Sequence, residues 1–267
     1  MSAHHPQVTI VTICRNAADE IAATMTSVLE QSYDDFEYVV VDGCSDDGTL
    51  EQIKSLATTR TRWISERDTG IYDAMNKGAR MAKGDWILFM NAGDRFYSPQ
   101  SLRELLREPI TNLDAIYGDH EVRYPTNFSR IRKASETADL WKGMVCSHQA
   151  LLCRTRWLLE QPFGAGSLAE DFKFLMHLYA SGRKIERRNA IVASISAGGV
   201  SDVRRTDVVS DYFRIVARYD RRFRVRAYYG IAIVVNSFKG LLCKIIPRQW
   251  WQWLVARKYG FAHQNRT

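Results

Sequence analysis

Apolar and polar positions come in short alternating blocks along the first hundred residues. Residues 8–13 are β-branched throughout and predict a buried strand. Cys14-Arg15-Asn16 leads out of it. Asp19 then caps a predicted helix running to Gln31, whose apolar stripe is Ile21, Met25, Val28 and Leu29. Residues 38–41 form a second apolar run, closed by Asp42-Gly43 and followed by a polar turn over 44–49 and another helix. A shorter third strand spans 63–66. Next, Ile71, Met75, Ala79 and Ala82 recur at helical spacing, while Asp73, Asn76 and Lys77 share another part of that helix. Residues 86–90 are an unbroken apolar run, the pattern of a strand buried on both faces, and the run stops abruptly at Asn91-Ala92-Gly93-Asp94. Strand, polar end, helix, repeated, is the rhythm of a parallel α/β sheet. In such sheets ligands bind just beyond the carboxyl ends of the strands.

The alternation loosens after residue 95. A helix over 98–107 starts with Ser98 as cap and Pro99 in its first turn. Strands are expected at 115–119 and 121–124, a hairpin or loop over 125–133, and a strand with a polar entry over 147–152. Residues 168–178 read as an amphipathic helix with Glu170-Asp171 at its N-terminal end. A last strand spans 191–196, and a glycine turn follows over 197–201.

From residue 204 the pattern changes. An amphipathic helix over 208–219 places Val209, Tyr212, Phe213 and Val216 on one side. Arg221, Arg222, Arg224 and Arg226 follow, then twelve uncharged residues, 227–238. A transmembrane helix needs about 20 predominantly apolar residues, so this run is short, and Lys239 and Lys244 interrupt it. Trp250, Trp251 and Trp253 stand beside Arg248, Arg257 and Lys258. The segment suits an interfacial helix lying on a membrane; the alternative is a helical cap packed on the domain. The expected organisation is a domain over 1–203 and a basic, aromatic helical segment over 204–267.

Charge sharpens that division. The chain of 267 residues carries a net charge of +7. Residues 204–267 hold 14 Lys/Arg and three Asp, net +11, so the remainder, with 23 basic and 27 acidic residues, is net −4. A basic, aromatic tail points to an anionic surface, either membrane or nucleic acid; an acidic core argues against nucleic acid. Hydrophobic content of 46% marks a globular chain. Cys14, Cys44, Cys146, Cys153 and Cys243 include no CxxC pair, which argues against a zinc site or disulfide framework and fits a reducing cytosol. The short polar start has no signal-peptide pattern, so the expected location is cytoplasmic, peripheral on the inner membrane face.

In sum, the chain resembles the family 2 glycosyltransferases, the inverting, nucleotide-sugar-dependent enzymes of the GT-A fold. The likeness rests on the strand ending Thr12-Ile13-Cys14-Arg15-Asn16, the helix segment 27–33, and the stretch 39–49, which is similar to the family's Val-Asp-Gly-Gly-Ser-Thr-Asp-Gly-Thr. Within the family it is most similar to the bacterial exopolysaccharide branch that includes colanic-acid cluster enzymes. That likeness is carried by DTGIYDAMNKG (68–78), NAGD (91–94), SHQA (147–150) and GGVS (198–201), and it covers residues 8–201.

The resemblance implies a fold, a mostly parallel Rossmann-like sheet flanked by helices, and a set of roles. The backbone around Thr12 to Arg15 and the Asp42 carboxylate would receive the nucleobase, although an Asp before Gly is also a common turn former. Arg15 would help hold the diphosphate or else stand on the surface. Asp68 and Lys77 would line the donor side, and Asn91 would bond the ribose or a metal-bound water. Asp94 would bind Mg²⁺ or Mn²⁺, ions that take hard oxygen ligands and often need only one or two protein carboxylates. Here Asn91 and Gly93 replace the first carboxylates of the commoner Asp-x-Asp form. Asp171 would be the general base, with Glu170 orienting the acceptor; the plain alternative is an acidic first turn favoured by the helix dipole. His148 would touch the diphosphate or the acceptor, or else serve the fold. The implied partners are a UDP- or GDP-linked donor and a lipid-linked saccharide acceptor. Competing readings are a catalytically silent nucleotide-sugar-binding subunit and a basic nucleic-acid-binding protein.

Overall fold

The computed structural model describes residues 6–125, 128–199 and 203–245. Expectations for Val200, Ser201 and the tryptophans from Trp250 onward lie outside the described residues. The elements are β1 (Val8–Cys14), α1 (Ile21–Leu29), β2 (Phe36–Asp42), α2 (Thr49–Leu56), β3 (Thr61–Ser65), α3 (Ile71–Met81), β4 (Trp86–Phe89), β5 (Arg95–Phe96), α4 (Ser101–Leu105), β6 (Ala115–Arg123), β7 (Ser129–Arg132), β8 (Leu151–Arg154), α5 (Thr155–Glu160), α6 (Glu170–Ala180), β9 (Ile185–Ser196), α7 (Arg205–Val216) and α8 (Phe223–Ile245).

The strands make one sheet in the order β3-β2-β1-β4-β8-β6-β9-β5, with β7 added to β6. The half built from β3, β2, β1 and β4 is wholly parallel. Beyond β4 the sheet is mixed: β8 runs antiparallel to both β4 and β6, and β9 returns parallel to β6. The alternation of side chains explains why the parallel strands read as unbroken apolar runs. Val11, Ile13, Val39, Val41, Ile87 and Phe89 feed one core, together with α3, α5, α6 and α7. Val8, Ile10, Tyr38, Val40, Trp86 and Leu88 feed the other, with α1, α2 and α4. Both faces are covered, so these strands are dominated by apolar and β-branched residues, and the polar exceptions Thr9, Thr12 and Glu37 are buried with hydrogen-bond partners. Helix α3 lies close on β1: a Cβ on Gly78 would collide with Val11 Cγ1.

Several local expectations change: the helix expected over 98–107 is α4, Ser101–Leu105, with Gln100 and not Ser98 at its N-cap, and the last strand begins at Ile185. Asp19 caps nothing; α1 starts at Ile21, and its entry is fastened by backbone bonds from Glu20 and Ile21 to the Ala17 carbonyl. The strands expected at 115–119 and 121–124 are one strand, β6, whose register against β9 slips around Asp119. The polar entry before β8 is a 3₁₀ turn, His148–Ala150.

The beginning of the basic segment is part of the folded body. Val209, Ile215 and Val216 of α7, and Val225 and Tyr229 of α8, join the same core as α6. Farther along α8, Ile231, Val234 and Phe238 are 67%, 67% and 60% exposed.

Candidate active site

Two clusters form at the carboxyl ends of the parallel strands. The first gathers the ends of β1, β2 and β3. Asp42 is wholly buried. Its carboxylate accepts the Ser45 N–H at 3.1 Å, the Ser45 hydroxyl, the Ser65 hydroxyl at 2.6 Å and the Cys14 thiol at 3.8 Å. Thr12 is equally buried, its hydroxyl donating to the Met90 carbonyl at 2.7 Å and accepting from Tyr38 at 2.8 Å. Both side chains are therefore committed within the sheet, and what they offer outward is the adjacent backbone. Arg15 is exposed. It and Asp68 flank Gly43, where a Cβ would collide with Asp68 Oδ2 and lie 3.2 Å from Arg15 Cβ. Asn16 (φ 49°) and Cys44 (φ 59°) both adopt the left-handed region, which costs a non-glycine residue energy, least for Asn. The two loops are laced together by Asn16 N–H to Ser45 Oγ at 2.8 Å and Asp46 N–H to Asn16 Oδ1 at 3.1 Å. Lys77 is tied down nearby, 3.1 Å from Glu66 and 3.6 Å from Asp73.

The second cluster joins the turn after β4 to the start of α6. The bridge between them is His148. Its Nε2 lies 3.1 Å from Asn91 Nδ2 and its Nδ1 lies 3.4 Å from Asp171 Oδ2. With Nδ1–H turned to the carboxylate, Nε2 is left as the acceptor for the Asn91 amide. That assignment points Asn91 Oδ1 away, and this oxygen is buried with no hydrogen-bond partner among the described residues. Asp171 is about one-fifth exposed. Burial pushes its carboxyl up, but the hydrogen bond from His148, the Phe172 N–H at 2.9 Å and the Tyr72 hydroxyl at 3.2 Å outweigh it. The net effect holds Asp171 below the usual carboxylate range. Glu170 instead turns inward, accepting the Gly164 N–H at 2.9 Å and pairing with Lys173 at 2.9 Å.

Asp94 sits one residue beyond His148 in this network. Gln149 Nε2 donates to its Oδ2 at 2.5 Å and the Ser196 N–H to its Oδ1 at 3.1 Å. Burial pushes the Asp94 carboxyl up, against those bonds and the nearby His148 and Arg123. Arg123 reaches over the same turn, donating to the Gly93 carbonyl at 2.7 Å and to Ser196 Oγ at 2.9 Å. Among the described residues no three His, Cys, Asp or Glu side chains cluster as a metal cage. The orphaned Asn91 Oδ1 and the Asp94 carboxylate are nonetheless hard oxygen donors at the strand end. They fit an ion such as Mg²⁺ or Mn²⁺ whose remaining shell is substrate oxygen and water.

Asn91, His148 and Asp171 are thus bridged across 81 positions of sequence, and Asp94 joins them through its backbone N–H to the Asn91 carbonyl at 3.0 Å and through Gln149, the residue after His148. Thr12, Arg15, Asp42 and Asp68 form the other cluster. Tyr72, Gln149, Ser196 and Arg123 were not singled out by sequence. The first two lie inside the DTGIYDAMNKG and SHQA stretches, so a signal existed; Arg123 and Ser196 come together only through the β6–β9 pairing.

A family model described as glycosyl transferase family 2 matches residues 9–180. The chain belongs to that family. A glycosyltransferase of PGL/p-HBAD biosynthesis from Mycobacterium bovis (strain BCG / Pasteur 1173P2) is 36% identical over 157 residues, covering 56% of this chain and 59% of the relative. A glycosyltransferase of Haemophilus influenzae is 34% identical over 105 residues, covering 38% and 35%. The matches span little more than half of these relatives at most. Among solved structures, the mannosyltransferase PcManGT from Pyrobaculum calidifontis, in complex with GDP-Man and Mn²⁺, aligns with a TM-score of 0.66 at 18% identity over 97% of this chain and 81% of that one. S. aureus TarS 1–349 with UDP-GlcNAc aligns with a TM-score of 0.60 at 17% identity over 79% and 65%. At these identities the likeness is one of fold, and the fold is GT-A. The family match runs from β1 to the end of α6, so it includes both clusters but neither Ser196 nor α7.

Proposed function

We propose that this glycosyltransferase moves a sugar, with inversion, from a UDP- or GDP-linked donor to a lipid-linked saccharide in bacterial surface-glycan or exopolysaccharide synthesis. The observation that carries the reading is the Asn91–His148–Asp171 bridge, which ties the donor-side strand end to the acid at the start of α6. The nucleobase is received by the backbone after β1 and by the Asp42 loop, with Arg15, Asp68 and Lys77 around the donor. Asn91 and Asp94 would hold Mg²⁺ or Mn²⁺, which supplies charge neutralisation at the leaving diphosphate when bound. The acceptor hydroxyl attacks the anomeric carbon from the face opposite the diphosphate. Its proton passes to Asp171, the new carbon–oxygen bond forms, and the old bond's electron pair leaves with the nucleoside diphosphate. His148 keeps Asp171 ionised and correctly turned, and Asp171's low proton affinity suits a base already free at neutral pH. A groove of roughly 670 Å³ is lined by Tyr72, Leu168 and Asp211 but not by Asp171 itself; Tyr72, whose hydroxyl lies 3.2 Å from Asp171 Oδ1, separates the two, and the groove is the proposed approach for the acceptor.

The same reading puts the protein on the cytoplasmic face of a membrane. No described helix is long and apolar enough to cross one. The exposed Ile231, Val234 and Phe238 of α8, behind Arg221, Arg222, Arg224 and Arg226, suit lying on an anionic leaflet.

The test pairs binding with turnover. A true donor at about 100 times its dissociation constant, with Mn²⁺, adds about 2.7 kcal/mol to stability in a thermal-shift screen of UDP- and GDP-sugars. Asp171→Asn should keep that shift and lose transfer by on the order of 10²–10⁴-fold. Wild-type turnover in this variant would remove Asp171 as base. A donor shift with no turnover in the wild type would favour a silent binding subunit.

A further inference from the structure

Helix α7 lies beyond the family match, yet one of its side chains reaches the loop that delivers Asp171. Asp211 is 9% exposed. Its Oδ2 accepts the Ser167 hydroxyl at 2.9 Å and the Leu168 N–H at 2.8 Å, and its Oδ1 accepts Arg214 Nη1 at 2.9 Å. Leu168 is thereby fixed from its nitrogen side. Its carbonyl lies 3.0 Å from the Tyr72 hydroxyl, which also lies 3.2 Å from Asp171 Oδ1 and accepts the Glu170 N–H at 3.1 Å. Tyr72 has one proton and two acceptors for it, Leu168 O and Asp171. Where that proton points depends on where Leu168 is held.

The neighbouring residue on α7 packs against the residue that follows Asp171. Tyr212 packs on Phe172 with ring centroids 4.4 Å apart. The fit against Gly143 is close enough that a Cβ there would come within 2.8 Å of the Tyr212 ring. Loop 163–169 therefore sits between α7 and the start of α6, held at Ser167 and Leu168 by charge-assisted bonds, a class stronger than neutral ones.

We propose that Asp211 is a positioning residue for Asp171, acting through the Ser167–Leu168 backbone and the Tyr72 hydroxyl. Glycosyl transfer then needs α7 although α7 lies outside the segment that defines the family. The inference rests on Asp171 being the base, and its test separates the two.

The full-length protein is compared with Asp211→Ala, Asp211→Asn, Tyr72→Phe and the Asp211→Ala/Tyr72→Phe double variant. The probe is nucleotide release from UDP-N-acetylglucosamine or GDP-mannose, whichever gives the larger thermal shift. Asp211→Ala should lower kcat about tenfold or more at unchanged donor KM. Asp211→Asn, which keeps one acceptor oxygen for Leu168, should recover most of the loss. Tyr72→Phe removes a hydrogen bond to the Asp171 carboxylate, so the acidic limb of kcat should move to higher pH. In that background Asp211→Ala should leave the limb where Tyr72→Phe puts it, because both act through one hydroxyl. Additive losses, or a kcat in Asp211→Ala within twofold of wild type, would overturn the inference. The Asp171 carboxyl titration, followed by NMR and assigned with Asp171→Asn, reads the coupling without turnover. A titration moved by Asp211→Ala alone but no further in the Tyr72→Phe background sustains the clamp even if Asp171 proves not to be the base.

Discussion

Helices α7 and α8 follow one another in a single basic segment and carry apolar residues at the same helical spacing, yet they meet different surroundings. In α7 the stripe Val208, Val209, Ile215 and Val216 is buried against the body of the domain. Among the described side chains of α8, Val225 and Tyr229 are buried and Ala232 and Ile233 pack partly against the same core, while Ile231, Val234, Val235 and Phe238 face outward. Amphipathic spacing states that a helix has an apolar face to cover. It does not state whether protein or something else covers it. That difference divides the segment by role: α7 completes the catalytic body, and α8 offers a surface.

The largest effects should separate the helices by stability. Phe172 lies in the α6–α7 contact and is wholly buried. Phe172→Ala should cost about 3–5 kcal/mol in denaturant unfolding. Ile231→Ala, on the open face of α8, should stay within about 0.5 kcal/mol. If Ile231→Ala were as costly as Phe172→Ala, α8 would be covered by protein and the division would fail.

Next in size is the surface itself. Ile231→Glu with Val234→Glu removes two apolar side chains worth about 1.5–3 kcal/mol each when buried. Sedimentation with phosphatidylglycerol vesicles should therefore weaken at least tenfold, since about 1.4 kcal/mol is a factor of ten. Retention on phosphatidylcholine vesicles at the level seen with phosphatidylglycerol would deny the basic residues any part in binding. Unchanged binding of the double variant to both would remove α8 as the docking face.

The two acids of the site differ in the same instructive way. Burial raises Asp94 above the usual range, whereas His148 and the other donors bring Asp171 below it despite burial. A raised carboxyl opposes folding when ionised, so the Asp94 penalty is present at neutral pH and lifts as pH falls through its folded value. A depressed carboxyl does the reverse: Asp171 adds stability above its unfolded value near about 3.9, and that stability is lost as pH falls through the lower folded value. Thermal unfolding without nucleotide should show Asp94→Asn at least as stable as wild type at pH 7 and Asp171→Asn less stable, the two differences shrinking toward pH 3. Matching profiles for the two variants would mean that the environments are not opposed.

How far these features could be read in advance depends on where their physics resides. The parallel half was legible because both faces of β1, β2 and β4 are buried, which favours near-continuous runs of apolar and β-branched residues. The β6 bulge and the antiparallel β8 were not, since strand direction leaves no mark on a period of two. Asn91, Asp94, His148 and Asp171 could be picked out because the short polar stretches that hold them, NAGD, SHQA and the acidic pair, resemble those of a known family. Their connection through His148 could not, because it depends on the ring's orientation. Asp211 had no signal at all: within the sequence it is one acid among the arginines of an amphipathic helix, and its role comes from the loop that folds onto it.

The smallest predicted effect tests that last point on α7 alone. Asp207 and Asp211 lie one turn apart, and each pairs with an arginine three residues away at 2.9 Å. Asp207 and Arg204 are both more than half exposed, and such pairs contribute about 0–1 kcal/mol. Asp211 is buried and satisfies the Leu168 N–H; removing it leaves that donor without its partner, a cost of about 1–3 kcal/mol. Asp207→Ala should therefore leave both unfolding and kcat close to wild type, while Asp211→Ala changes both. Equal effects from the two would mean that loss of a negative charge from α7, and not the hold on Leu168, is what the site feels.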